Sequence, residues 1–176
     1  MTNCAVFLRG INVGGINIKM AELRLALAAL PLENVKTLLA SGNVVCSSDA
    51  PVAEVKALVE DCLREKFGYD AWVVVLDQPR LKSIIETCPY PADDKATHSY
   101  VTLSSQPDML DELEALGRDL PATELRRLSP EALAWLAPAG GTLESPFSKL
   151  SARARYKSTT TTRNLRTLLK CRDAMA

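Results

Sequence analysis

Three polar segments carry residue types able to hold an anion. The first is "VFLRGINVGGINIKM", Val6 to Met20, where an apolar run ends on Arg9 and Gly10, Asn12, Gly14 and Gly15 follow. A helix opens after them at Lys19 or Met20. An arginine at a strand end presents a planar fork of donors that matches phosphate or carboxylate. Glycines at a strand-to-helix turn free backbone N–H groups, and the helix start adds partial positive charge. The second segment is Ser41-Gly42-Asn43 and the third Thr162-Arg163-Asn164, each with hydroxyl and amide groups. The named phosphate motifs fail: Ile16-Asn17 stands where a Walker A loop needs Lys-Ser/Thr, and the G-x-G-x-x-G spacing is not met. Composition alone favours a tight crossover needing φ > 0 as the reason for the glycines, and Ser41-Gly42-Asn43 is also accounted for by turn chemistry.

The other reactive groups narrow the chemistry. Cys4, Cys46, Cys62, Cys88 and Cys171 form no C-x-x-C pair, and His98 is the single histidine. That pattern excludes a zinc site of usual spacing and a disulfide framework, so no metal is expected. Cys4 and Cys46 in strand-like runs and Cys62 on an apolar helix face are expected to be buried reduced thiols. His98, in "THSYVTL", shares the more polar face with Tyr100 and reads as a surface or interface residue rather than a catalytic one. No motif names a cofactor. The 176 residues are 47% hydrophobic and 24% charged, as in a soluble globular protein. No stretch reaches the ~20 apolar residues of a membrane span, and Met-Thr-Asn-Cys does not resemble a signal peptide, so a cytoplasmic location is expected. Net charge is zero but uneven, with an acidic excess up to residue 148 and eight cations against Asp173 alone from Lys149 onward. A basic tail suits an anionic partner, or equally docks on the acidic body.

The elements that position these groups follow from apolar spacing. Asn3–Arg9 reads as a buried strand, and Met20, Leu23, Leu27 and Leu30 mark a helix ended by Pro31. Val35–Ala40 and Asn43–Ser47 read as a hairpin, Val52–Phe67 as a helix stopped by Gly68, and Ala71–Asp77 as a strand rich in β-branched residues. A connecting helix capped by Asp77 precedes Cys88-Pro89-Tyr90-Pro91. The order then restarts: strand Thr97–Ser104, a helix opened by a capping-box-like Ser105–Asp108 and closed by Gly117, and a hairpin about Ser129-Pro130-Glu131. Ser145-Pro146 opens a short helix, and Thr162 is expected to cap a final helix Arg163–Arg172. The fold class is α+β: two tandem ferredoxin-like subdomains, 1–78 and 97–176, joined by 79–96, with antiparallel sheets and helices on one face. The second is expected to be incomplete, a helix standing where its last strand would fall.

"FLRGINVGGINIKMAEL", "TLLASGNVVC" and "TTTTRNLRTLLK" together resemble the bacterial family catalogued as domain of unknown function 1697, across essentially the whole chain. Leu165 stands where that family tends to carry an aromatic. The resemblance implies a ferredoxin-like first unit and a related second one, and no activity.

In a split βαβ unit strands one and three are antiparallel neighbours, which puts Arg9 beside Ser41-Gly42-Asn43. We expect Thr162, Arg163 and Asn164 to join that rim from the second subdomain and line an anion pocket in a cleft between the two. The expected ligand is a phosphate-bearing small molecule or nucleotide. Two alternatives stand: RNA binding through the basic C-terminal segment, and a structural or interaction protein in which the cluster knits the halves together. RNA-recognition-motif stacking is disfavoured, because the third strand offers no aromatic residue. Whether a reaction is catalysed stays open at this level.

Overall fold

The computed structural model describes residues 1–9 and 16–175. The elements in chain order are β1 (Thr2–Leu8), α1 (Met20–Ala28), β2 (Glu33–Leu38), β3 (Asn43–Ser48), α2 (Val52–Phe67), β4 (Val73–Asp77) and α3 (Gln78–Thr87). They continue with β5 (Thr97–Leu103), α4 (Pro107–Arg118), β6 (Leu125–Ser129), β7 (Ala132–Pro138), α5 (Pro146–Ser151), α6 (Ala154–Lys157), β8 (Thr161–Asn164) and α7 (Leu165–Met175). A short 3-10 turn covers Thr142–Glu144. The chain divides into two compact units, residues 1–82 with 169–176, and residues 83–168.

Each unit holds a four-stranded antiparallel sheet, ordered β2-β3-β1-β4 in the first and β6-β7-β5-β8 in the second. That order is the split βαβ arrangement of ferredoxin-like folds. In the first unit Cys4, Val6 and Leu8 of β1 share a face with Val44, Cys46, Val73 and Val75. This face packs on Leu23 and Leu27 of α1 and on Val55, Val59 and Leu63 of α2. Burying each such side chain contributes about 1.5–3 kcal/mol. The alternate residues Ala5, Phe7, Val45, Val74 and Leu76 are buried as well, which is why these strands read as unbroken apolar runs.

The second core is built on aromatics. Trp135 of β7 stacks on Tyr100 at 4.8 Å between centroids and leans on Phe147 of α5 at 5.0 Å. Its indole N–H donates to Thr102 Oγ1 at 3.0 Å, so the buried ring leaves no orphan donor. Leu110 and Leu113 of α4, Leu150 and Tyr156 complete the cluster.

Several ends are set as their residues predict. Gly68 closes α2 at φ 65°, Asp77 Oδ1 accepts from Arg80 N at 2.9 Å, and Ser145 Oγ accepts from Ser148 N at 3.2 Å. Three expectations need correcting. Thr161–Asn164 is a strand, not the start of a helix: Thr162 pairs with Thr102 and Arg163 with Val101, giving the second sheet its fourth strand. The β-branched threonines suit that pairing, and the helix opens at Leu165, where Asn164 Oδ1 accepts from Arg166 N at 2.9 Å. Asn164 is therefore the cap, in place of Thr162. The helix start at Pro107 has no side-chain cap; Ser104, not Ser105, accepts from Gln106 N at 3.0 Å.

Gly117, expected to end α4, lies inside it and is buried. A Cβ there would come within 2.5 Å of Leu125 Cδ2 and 3.0 Å of the Phe147 ring, so glycine permits the helix to close on the sheet.

Two of the four outer strands, β2 and β6, each carry a register shift, between Glu33 and Lys36 and between Arg127 and Ser129. Arg127 ties its strand to α4: Nη1 lies 2.7 Å from Asp111 and 3.3 Å from Glu114, and Nε donates to Ser129 O at 2.7 Å.

Gly117→Ala tests the close approach. Alanine favours a helix by about 1 kcal/mol, whereas forcing a methyl into packed core costs about 1–3 kcal/mol. A fall in melting temperature of about 2–4 °C is expected; a rise would show that Leu125 and Phe147 yield freely.

Candidate functional site

The end of β1 and the start of β3 share one rim of the first sheet. Phe7 faces Asn43 in register, Leu8 N donates to Gly42 O at 2.8 Å, and Arg9 N donates to Trp72 O at 3.2 Å. Arg9 thus stands between the beginnings of β3 and β4. Its guanidinium is half-buried; burial lowers its pKa from the ordinary arginine value, and Asp70 opposes that shift.

Local sequence dictates the hairpin that forms this rim. Gly42 takes φ 82°, a left-handed conformation that glycine adopts without steric cost. Leu39 takes φ 60° as well, strained for a leucine, and its side chain is exposed. Asn43 holds the turn closed. It is fully buried, and its Nδ2 donates to Leu38 O and to Ser41 Oγ, both at 2.9 Å.

The other wall of the rim, residues 70–73, is clamped by α2. Arg64 Nη2 donates to Ala71 O at 3.1 Å, and Lys56 Nζ donates to Val73 O at 3.0 Å while lying 5.0 Å from the centre of the Trp72 ring. Glu60, nearly buried, pairs with both cations. Tyr69 follows the helix stop. Its hydroxyl is the one buried side-chain polar atom without a hydrogen-bond partner among the described residues, and burial pushes the phenol up to about 12. Tyr69, Asp70 and Trp72 were not singled out from the sequence. The signal was present: strand four also runs antiparallel to strand one, which places its start beside Arg9.

Gly10, Asn12, Gly14 and Gly15 lie outside the described residues. Thr162, Arg163 and Asn164 belong to β8 of the second unit. Thr162 Oγ1 lies 2.9 Å from Thr102 Oγ1, the hydroxyl that receives the Trp135 N–H, so it works inside a polar thread. Arg163 is 6% exposed, and its Nη1 donates to Thr161 Oγ1 at 2.6 Å and to Thr162 O at 3.0 Å. Asn164 is the cap described above.

The basic C-terminal segment is partly neutralised where it stands. Arg155 donates to both carboxylate oxygens of Glu112, which also accepts from Tyr156, and those bonds hold the Glu112 carboxyl below its usual range. Lys149 lies 3.4 Å from Glu144 and Arg172 2.9 Å from Asp173.

The thiols are as expected for Cys4, Cys46 and Cys62, all buried and unpaired. Cys4 and Cys46 face each other across β1 and β3. Burial pushes the Cys46 thiol up to about 12, with Cys4 adding to the shift. No group of three or more metal-ligating side chains occurs among the described residues, and no helix there is long and apolar enough to cross a membrane.

Residues 1–133 match the sequence profile of a family described as proteins of unknown function, DUF1697. A conserved bacterial protein from Streptococcus pneumoniae has a similar structure, with a TM-score of 0.83 and 22% identity over 99% of each chain. No curated protein matches the chain.

Two substitutions separate used from unused polar groups at this rim. Asn43→Ala removes the buried amide that bonds Leu38 O and Ser41 Oγ and is expected to cost about 1–3 kcal/mol in urea unfolding. Tyr69→Phe deletes a buried hydroxyl that has no partner among the described residues, so stability is expected to hold or rise; a loss like that of Asn43→Ala would reveal a partner.

The pH dependence has a definite sign. Cys46 and Tyr69 ionise near 12 in the fold, above the 9.0 and 10.0 of the free groups. Their effect on stability is neutral below about pH 9 and becomes increasingly unfavourable as pH rises toward 12, because the unfolded chain ionises first. Urea midpoints are expected to fall across that interval, and Cys46→Ala is expected to flatten part of the slope; an unchanged slope contradicts the assignment.

Proposed function

We propose that this chain, which belongs to the DUF1697 family of proteins of unknown function, binds a phosphate-bearing small molecule or nucleotide at the rim where β1 ends and β3 begins. The observation that carries the reading is the placement of Arg9. It closes a central strand, its charge is drawn half out of water, and the chain next to it carries Gly10, Gly14 and Gly15. A cation in that setting gains from an anion, because lower dielectric strengthens the attraction and a planar fork fixes two oxygens at once.

Ser41 supplies a hydroxyl at the same rim, and Asn43 is the brace that holds the turn in place. The equipment is that of recognition: a fixed cation and donors on rigid strand ends. Asp70, fully exposed, would repel an oxyanion placed on its side, which favours approach from the hairpin side. The partial neutralisation of Lys149, Arg155 and Arg172 weighs against the basic segment as the main anion site.

Thermal unfolding with inorganic phosphate, nucleotides, sugar phosphates and short RNA tests this. A ligand at a hundred times its dissociation constant stabilises by about 2.7 kcal/mol, a rise of roughly 5–10 °C at this chain length. Arg9→Ala is expected to remove the rise, and Arg9→Lys to retain only part of it. Wild-type protein that shifts with none of these compounds would end the proposal.

A further inference from the structure

The second unit contains a cavity of ≈ 470 Å³ that none of the anion chemistry above uses. Its walls are apolar and stiff: Pro121, Pro138 and Pro146 stand around Leu136 and the Phe147 ring. Phe147 is 1% exposed and braced by Trp135, so this wall is set before anything binds. Preformed walls of this kind lose little side-chain freedom when filled. Directly after the 121–123 segment, Glu124 O accepts from Leu136 N at 3.2 Å. At its exposed lip Ala122 sits at φ 52°, a left-handed conformation that alanine seldom adopts.

The polar groups on the lining decide what would enter. Thr123 Oγ1 donates to Pro121 O at 3.1 Å, and Ser145 Oγ donates to Thr142 O at 2.9 Å while capping α5, so both hydroxyl protons are committed. Among the described residues Glu144 is the one charged residue on the lining. Its salt bridge to Lys149, 3.4 Å long, joins side chains 82% and 63% exposed, an arrangement that contributes little and yields readily. An apolar cavity with one carboxylate at its mouth complements an apolar body bearing a positive charge.

We infer that this cavity is a binding site for a small apolar amine, its hydrocarbon part against the prolines and Phe147 and its ammonium on Glu144. A volume of this size takes a molecule as large as 2-phenylethylamine with room to spare. A carboxylate of the same shape would meet Glu144 with like charge and is disfavoured by the same geometry.

The test uses the full chain and three probes of matched shape: 2-phenylethylamine, 2-phenylethanol and 3-phenylpropionate. Two-dimensional NMR follows the Leu136 methyl and Phe147 ring signals through each titration, in wild type and in Glu144→Gln. The expected order of affinity is amine, then alcohol, then carboxylate. Glu144→Gln, at an exposed position, is expected to weaken the amine roughly three- to fivefold and leave the alcohol unchanged. No movement of Leu136 and Phe147 signals with any probe at millimolar concentration would overturn the inference. So would an equal response to all three probes, or an amine preference that survives in Glu144→Gln.

Discussion

Antiparallel pairing of β1 with both of its neighbours is the constraint on which the rest of the first unit depends. When two strands run in opposite directions, the last residue of one must lie beside the first of the other. Leu8 N therefore meets Gly42 O, and Arg9 N meets Trp72 O. Segments thirty and sixty positions apart in the chain become neighbours with no dedicated device to bring them together. What the fold adds is rigidity. Asn43 closes the hairpin from within, and the Lys56–Glu60–Arg64 group on α2 fixes carbonyls of residues 71 and 73. The strand ends are thus held on both sides, and Arg9 inherits a defined place from its neighbours' hydrogen bonds.

The two units repeat a strand order but not a chemistry. In the first, aliphatic side chains and thiols pack between sheet and helices, and the polar ties include the ionic Lys56–Glu60–Arg64 group and the buried Asn43 amide. In the second, Tyr100, Trp135 and Phe147 form a ladder of rings, threaded by hydroxyls from Trp135 through Thr102 to Thr162. That thread explains why a motif-like Thr-Arg-Asn run can be structural. Thr162 completes a chain of donors under a buried indole, Arg163 bonds within its own strand, and Asn164 caps the helix that follows. Three adjacent polar residues do three separate jobs because a strand alternates its faces and then ends.

Legibility in the sequence tracked local information. Strands buried on both faces announced themselves as apolar runs, and α2 showed its stripe, its Gly68 stop and its boundaries. Strand β8 was not legible because Thr161–Asn164 is short and polar, and a Thr-Arg-Asn run before a leucine stripe looks the same as a helix cap. The role of Gly117 was hidden because its reason for being glycine, the nearness of Leu125 and Phe147, is set by partners outside the helix. Charge pairing was hidden for a related cause. Lys149–Arg172 reads as a cationic tail in one dimension, whereas Glu112 lies close to Arg155 only after folding. Of the candidate rim, Arg9, Ser41 and Asn43 could be placed from strand polarity alone. The same polarity applied to β4 would have added Tyr69, Asp70 and Trp72.

The register shifts in β2 and β6 have a consequence for how this chain meets others. An outer strand with regular backbone spacing offers a template on which a foreign strand can dock. In β2 the pleat is broken at Glu33–Lys36 with Asn34 at φ 54°, and in β6 at Arg127–Ser129, where a guanidinium also occupies the Ser129 carbonyl. Both irregularities fall on corresponding outer strands of the two sheets. At those borders the ribbon cannot be extended in phase, so self-association through them would have to proceed by side chains rather than by continuing the sheet.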